Sequence, residues 1–327
     1  MIDLRRLQVL RVLHQHGTVT AAAAALNLTP SAVSQQIRQL SRDVGVDLLL
    51  HEGRRVRLTP AAHTLLAHAD TLRTQWERAL GDLAAHKDAQ AGLLRFCGFP
   101  TGLAALVVPA ASRLRAAHPR LDLRMMEADA HQCFDLLLTG DADIAVVVVT
   151  PDAPPLDDAR FDQRPLVNDP LDLVVPVDHP LADRESVELA EAACDDWIVP
   201  VGEASHRQVI LAACAAAGFA PRITHNAKEW PAVIALVSNG FGICLIPRLA
   251  PLPAHSAVVR IPLSGDPTPA RRIASCVRRG SHDQLAIAHG LAALDEVARP
   301  LPPELVPPGP IEEIIRAAAQ PPHRHSG

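Results

Sequence analysis

The first constraints on this chain of 327 residues come from what it lacks. No apolar run reaches the roughly 20 residues needed to cross a bilayer, and the longest candidates, such as Val209 to Ala220, fall well short. Asp3 and the Arg5-Arg6 pair interrupt any signal-like or transit-like segment at the start, so a soluble cytoplasmic protein with no membrane partner is expected. Six cysteines stand at positions 97, 133, 194, 214, 244 and 276 with no C-x-x-C pair. That scatter argues for reduced, mostly buried thiols. A redox switch using Cys194 and Cys214 is the alternative, although nothing beside either residue signals an activated thiolate.

Enzyme signatures are also missing. There is no G-x-S-x-G elbow, P-loop or dinucleotide fingerprint, and Gly240-Phe-Gly242 lacks the third glycine. His51-Glu52 does not open a zinc-protease motif, because Arg55 stands where the second histidine belongs. A non-enzyme without cofactor or metal is therefore expected.

What is present is an uneven charge. Residues 1 to 60 hold eight arginines against Asp3, Asp43, Asp47 and Glu52, a balance of +4, while the remainder holds 23 basic and 32 acidic residues, a balance of -9. The basic end coincides with two short helical patterns meeting across a turn at residues 18 to 40, as in a helix-turn-helix. Thr18 or Thr20 can cap the first helix, whose alanines keep it slim. Asn27 and Leu28 supply the turn. Thr29 is placed as the second N-cap, with Pro30 at the first helical position, where its missing N–H costs nothing. Val33, Ile37 and Leu40 share one buried face, and Ser31, Ser34, Gln35 and Arg38 form the opposite one. Such side chains read base edges in a major groove, so double-stranded DNA is the expected partner. The alternative is an ordinary helical hairpin with a wet polar face.

In chain order, Leu4, Leu7, Leu10 and Leu13 mark an amphipathic helix over 3–16, ended by Gly17. After the second motif helix, Gly53 between short extended segments suggests a two-stranded wing. Arg54, Arg55 and Arg57 would there contact phosphates, setting affinity and register. Thr59-Pro60 then opens a long helix, free of proline to Lys87. Leu65, Ala69, Leu72, Trp76, Ala79 and Leu83 step along it as a heptad seam. At about 1.5 Å per residue it extends roughly 40 Å. A seam of that length needs a partner, either the same helix of a second subunit, which would present two recognition helices about one DNA turn apart, or the chain's own second domain.

Residues 1 to about 90 resemble the DNA-binding domain and linker helix of the LysR-type transcriptional regulators. Ala21 to Leu26, Ser31 to Leu40, Gly45-Val-Asp-Leu48 and Arg57-Leu-Thr-Pro60 carry the likeness, in order and at the family spacing. Ser41, Leu49, His51 and Ala62 depart from the usual glutamate, phenylalanine, arginine and glycine; His51 removes a permanent charge beside the wing.

From Gly92 the pattern alternates. Strands are expected at Gly92 to Gly98, Leu121 to Glu127 and Asp143 to Val149, with helices over Pro100 to Ala117 and His131 to Thr139, which implies a parallel sheet. Further on come Leu171 to Pro176, the strand Trp197 to Val199, helices over 206–217 and 232–237, the strand Ile243 to Ile246 and a closing helix over 281–298. Leu138 to Ala145, Asp178-His-Pro-Leu-Ala182 and Val237 to Pro247 resemble the family's effector-binding domain, whose fold is that of two-lobed type 2 periplasmic binding proteins. The resemblance covers nearly everything to about residue 300.

The expected architecture is thus multidomain. It comprises an all-α winged helix-turn-helix (1–58), a linker and dimerisation helix (59–90), and an α/β two-lobed effector-binding domain (91–300). Lobe I takes 91–150 and 263–300, lobe II takes 151–262, and a proline-rich disordered tail takes 301–327. Ligands of open α/β sheets bind at the carboxyl ends of strands, beside helix N-termini. Candidate effector contacts are accordingly Thr101, Gly102, Ala128, Asp129, Val149 and Thr150 in one lobe, and Val201, Gly202, Ser205, Asn226, Lys228 and Trp230 in the other. Lys228 could pair with a carboxylate and Trp230 could stack on a ring, while Asp129 would disfavour an anion. The expected function is a DNA-binding transcriptional regulator that binds promoter DNA and is modulated by a small-molecule effector between the lobes. The resemblance further implies a homo-oligomer, a dimer through the linker helix and a tetramer on bent DNA, with RNA polymerase as a further contact. A free-standing solute-binding protein would not carry the helix-turn-helix, and an architectural DNA protein would not need the two lobes.

Overall fold

The computed structural model describes residues 3–52, 55–84, 92–200, 204–265 and 268–299. The expected tail 301–327 and the junction 85–91 lie outside the described residues.

The chain begins with α1 (Leu4–His16), capped by the Asp3 carboxylate and closed by Gly17 at φ 67, a left-handed conformation that suits glycine. Next comes α2 (Val19–Ala25), capped by Thr18, and then the turn in which Asn27 takes φ 52. In α3 (Pro30–Val44) the Thr29 hydroxyl accepts from Ala32 N–H at 3.2 Å, and Pro30 occupies the first turn. Val33, Ile37 and Leu40 are buried against Leu10, Leu13 and Ala22. Each such aliphatic side chain stabilises the domain by about 1.5–3 kcal/mol, which is what holds three short helices together. The wing pairs β1 (Leu49–Glu52) with β2 (Arg55–Leu58) antiparallel, and α4 (Pro60–Ala84) follows.

The second domain opens with β3 (Gly92–Gly98), then α5 (Pro100–Gly102), a π-helical turn (Leu103–Val107) and α6 (Val108–Ala117). The turn widens the helix just ahead of Pro109, which has no N–H to continue the ladder. β4 (Leu121–Glu127), α7 (Ala130–Thr139) and β5 (Ile144–Val148) come next, and β3 lies parallel to both β4 and β5. The 16-residue β6 (Phe161–Pro176) then runs through both lobes. The rest is β7 (Asp196–Pro200), α8 (Ala204–Ala216), β8 (Arg222–Ala227), α9 (Trp230–Ser238), β9 (Cys244–Pro247), β10 (Val258–Ile261), β11 (Ala270–Arg278) and α10 (Leu285–Ala298).

Residues 161–170 of β6 pair with β11, and β11 with β5, so they complete the first lobe's sheet. Residues 171–176 pair with β9 and β10 in the second lobe, which β7 and β8 extend. This differs from the expected lobe limits. Residues 161–170 lie with lobe I, and Leu263 packs in the second lobe's core, so the return crossing falls just before Ala270. The reason is that β6 is continuous: its two halves serve different sheets, and a sequence boundary at Pro151 could not reveal that.

The α4 helix presents different chemistry on two sides. Its polar residues face lobe I, where Glu77 receives Arg278 Nε at 2.6 Å and Gln284 Nε2 at 2.8 Å, and Arg73 donates to the Leu138 carbonyl. Gly280, at φ 82, lets its loop approach closely, since a Cβ there would lie 2.9 Å from the Thr74 carbonyl oxygen. The apolar seam is divided: Ala69 is buried with the winged domain, whereas Leu72, Trp76 and Leu83 are 52%, 54% and 55% exposed. Its own second domain therefore does not cover the seam. Among the described residues no helix is long and apolar enough to cross a membrane.

Candidate DNA-reading surface and interlobe cleft

On α3 the buried triplet fixes which residues face outward. Ser31, Gln35 and Arg38 are exposed and Ser34 is half-buried, so the polar row stands clear of the core. Thr29 is committed to the cap, and its hydroxyl also lies 3.0 Å from Ser31 Oγ. Arg38 is not drawn into the Arg6, Gln39 and Asp43 cluster that braces the helix from the other side. In the wing, Arg57 is exposed, the side chain of Arg55 is outside the described set, and Arg54 lies outside the described residues.

The expected effector contacts divide into groups. Ala128 and Val149 are tied into the first lobe by backbone bonds, Ala128 N–H to Gly98 at 3.0 Å and Val149 N–H to Arg272 at 2.8 Å. Asp129 is the N-cap of α7, accepting from Gln132 N–H at 2.9 Å while Gln132 reaches back at 3.2 Å, a capping box. The Thr150 hydroxyl bonds the Asp152 carboxylate and helps hold its pKa down. Asn226 and Lys228 are exposed, and Lys228 pairs with neighbouring Glu229 at 3.6 Å. Val201 and Gly202 lie outside the described residues, and the side chain of Ser205 is not among those described.

Gly102 and Trp230 instead each pack on an aromatic or imidazole ring, Gly102 on Phe99 in the first lobe and Trp230 on His206 in the second. Gly102 lies on the Phe99 ring, where a Cβ would come within 2.7 Å of it. The Arg271 guanidinium sits over the same ring, 5.2 Å from its centroid, and binds Asp169 at 2.6 Å. Asp169 also accepts from Leu249 N–H at 3.0 Å, so it joins the two crossing strands and the loop after β9. From the second lobe, His206 on the first turn of α8 meets Trp230 edge to face at 5.1 Å. Thr101 is 5% exposed, at the start of α5.

His206 is the unusual member. It is 2% exposed, and neither ring nitrogen has a hydrogen-bond partner among the described residues. Burial and the positive charge of Arg271 lower its pKa to about 3; the Leu245 backbone is near enough to oppose this slightly without hydrogen-bond geometry. The ring is therefore neutral at pH 7, one nitrogen a donor and the other an acceptor. Buried imidazoles are ordinarily satisfied, so this one is suited to a polar ligand or a bound water. Sequence reasoning missed Phe99, Asp169, His206 and Arg271. The only available signal was the position of His206 one residue beyond Ser205.

A capped helix with an exposed polar row in a winged three-helix domain, joined through a long helix to two α/β lobes, is the architecture of a DNA-binding transcriptional regulator with an effector domain. Residues 4–63 match the family described as "Bacterial regulatory helix-turn-helix protein, lysR family", and residues 87–299 match "LysR substrate binding domain". The chain belongs to the LysR family of transcriptional regulators. A "Probable hydrogen peroxide-inducible genes activator" of Streptomyces viridosporus is 30% identical over 311 residues, covering 93% of this chain and 97% of that one. The "Transcriptional dual regulator GltC" of Bacillus subtilis (strain 168) is 26% identical over 248 residues, 76% of this chain and 81% of that one. A solved structure of a full-length OxyR variant from Pseudomonas aeruginosa shares the fold, with a TM-score of 0.64 at 23% identity, over 95% of this chain and 99% of the other.

Proposed function

We propose that this regulator reads a promoter site through Ser31, Ser34, Gln35 and Arg38, holds the DNA backbone through the wing arginines, and responds to a small polar effector that hydrogen-bonds His206 in the interlobe cleft. The orphaned, neutral imidazole is the observation that carries the effector reading. An effector favours one lobe arrangement only by as much as its affinities for the two arrangements differ. The cytoplasm is the compartment this role implies, and RNA polymerase is the machinery it would meet at a promoter.

Recognition is non-covalent in this reading. Relatives include peroxide-inducible activators, yet burial pushes the Cys214 thiol up to about 11 and raises Cys244 and Cys276, while the contact with Cys97, together with burial, raises Cys133, which disfavours the reactive thiolate. Cys194 is exposed, and its proposed partner Cys214 is buried.

Footprinting on the upstream intergenic DNA across a salt series tests the reading. Gln35→Ala is expected to weaken specific binding by about 1–3 kcal/mol and leave random DNA unaffected, while Arg57→Gln weakens both alike and lowers the salt slope by about 1. Equal loss on both DNAs for Gln35→Ala would remove the base-reading role.

The bare seam of α4 supports a dimer through this helix, and from it a tetramer on the DNA. Leu72→Glu places a charge where Leu72 faces outward, and is expected to raise the dimer dissociation constant at least tenfold in sedimentation equilibrium with little change in helix content. An unchanged constant would move the interface elsewhere.

A further inference from the structure

A second cavity lies away from the cleft, at the joint of α1, α4 and the first lobe, with a volume of about 420 Å³. That size falls in the range of small-molecule sites. Its carboxylates are already engaged: Asp70 by Arg11, Glu77 by Arg278, and Asp143 by Arg95 at 3.0 Å and Arg278 at 3.2 Å. Arg73 and Arg5 also line it, and neither has a carboxylate partner among the described residues. Arg73 is half-buried and gives one hydrogen bond, to the Leu138 carbonyl near the C-terminus of α7, which Gln8 Nε2 also takes at 3.0 Å. A helix C-terminus offers about half a negative charge at most, so a surplus of positive charge stays in the cavity. Burial, first, and the nearby Arg278 lower the Arg73 pKa, against the opposing pull of Glu77 and Asp70. The rim is apolar, with Leu4, Trp76, Leu80 and Leu93 exposed.

We propose that this joint binds a small organic dianion, its acid groups held by Arg73 and Arg5 and its carbon skeleton laid on the Leu80 and Leu93 side. The site is distinct from the cleft: Arg278 borders the cavity and Arg271 the cleft, seven residues apart on β11 and so about 23 Å along the strand. A ligand there bridges the DNA-binding domain, the linker helix and the first lobe. DNA and dianion then alter each other's affinity by the same factor.

The experiment is calorimetric titration of the full-length protein at low salt with glutarate and, separately, glycerol 3-phosphate; the better binder tells a dicarboxylate from a phosphate ester. One saturable site per chain is expected for at least one of them. Arg73→Gln should weaken it at least tenfold and Arg5→Gln at least threefold, while Arg113→Gln, the same charge loss on exposed α6, should leave it unchanged. If Arg73→Gln melts lower than the parent, Arg5→Gln decides, because that side chain is exposed. Absence of saturable heat from both anions overturns the proposal. So does affinity that the deciding variant leaves unchanged, or that Arg113→Gln lowers equally.

Discussion

Asp169→Ala is expected to lower the unfolding free energy by about 3–5 kcal/mol, the cost of leaving a buried guanidinium without its counter-ion. Asp169 and Arg271 are 0% and 3% exposed, and two guanidinium nitrogens reach the same carboxylate oxygen, at 2.6 and 3.2 Å. Removing the carboxylate also strands the Leu249 N–H that bonds its other oxygen. Chemical denaturation at neutral pH measures the loss. The double variant Asp169→Leu, Arg271→Met should recover most of it, because two apolar side chains of similar size carry no desolvation penalty. A single-variant loss below about 1 kcal/mol would mean that water enters the site and screens the charge. The pair sits where β6 and β11 run between the lobes. Arg248 at 2.7 Å and Arg260 at 3.4 Å clamp Asp172 just beyond the crossing. These three ion pairs tie β6 to β11, to β10 and to the segment after β9.

The second large effect is on the acid side. His206 has a pKa of about 3 in the folded chain against an ordinary 6.5, so between these values the unfolded chain binds more protons. Its contribution to stability is complete above about pH 6.5 and is lost as the pH falls, by up to about 1.4 kcal/mol per pH unit, or roughly 3 kcal/mol by about pH 4.5. The groups facing it oppose protonation in the same direction: Arg271 repels an imidazolium, and the Asp169 charge is already neutralised. His206→Phe keeps the ring against Trp230 and removes both unpartnered nitrogens. Its denaturation midpoint is expected to match or exceed the parent's at pH 7 and to fall less steeply between about pH 6.5 and 4.5. Parallel slopes in the two proteins would show that the imidazole is hydrated. The same variant should no longer shift its footprint with an effector that shifts the parent's.

The DNA-binding half was legible because its signals are local. Thr18, Thr29 and Thr59 cap the helices that follow them, Gly17 closes α1 in a left-handed conformation, and the four- and three-residue steps from Val33 to Ile37 to Leu40 set the buried face. Each of these depends on atoms within about one helical turn. The strands that escaped notice share a reason. β11 buries Arg271, Ser275 and Arg278 along with its aliphatics, so its composition reads as polar; the first half of β6 carries Pro165 and Pro170, which ordinarily argue against a strand. β8 alternates exposed and half-buried residues too weakly to stand out.

The candidate effector positions were legible only as places. Strand ends and helix starts pointed alike to Gly102, which packs on Phe99, to Trp230, which packs on His206, to Asp129, which caps its own helix, and to Lys228, which pairs with its neighbour. No local pattern distinguishes a side chain turned into a cleft from one turned back on its own backbone.

The sequence by itself determined the family, the helices and their caps, the concentration of arginine at the DNA-binding end, and a linker helix with an apolar seam. Tertiary structure alone decided which charges meet. Asp169 finds Arg271 across 102 residues and Glu77 finds Arg278 across 201. It also decided that α4 docks by its polar side and leaves Leu72, Trp76 and Leu83 bare, and that His206 lies buried without a hydrogen-bond partner among the described residues. The physical reason is range: capping and periodicity act over a few residues, whereas desolvation and charge pairing depend on which distant segments the folded chain brings together.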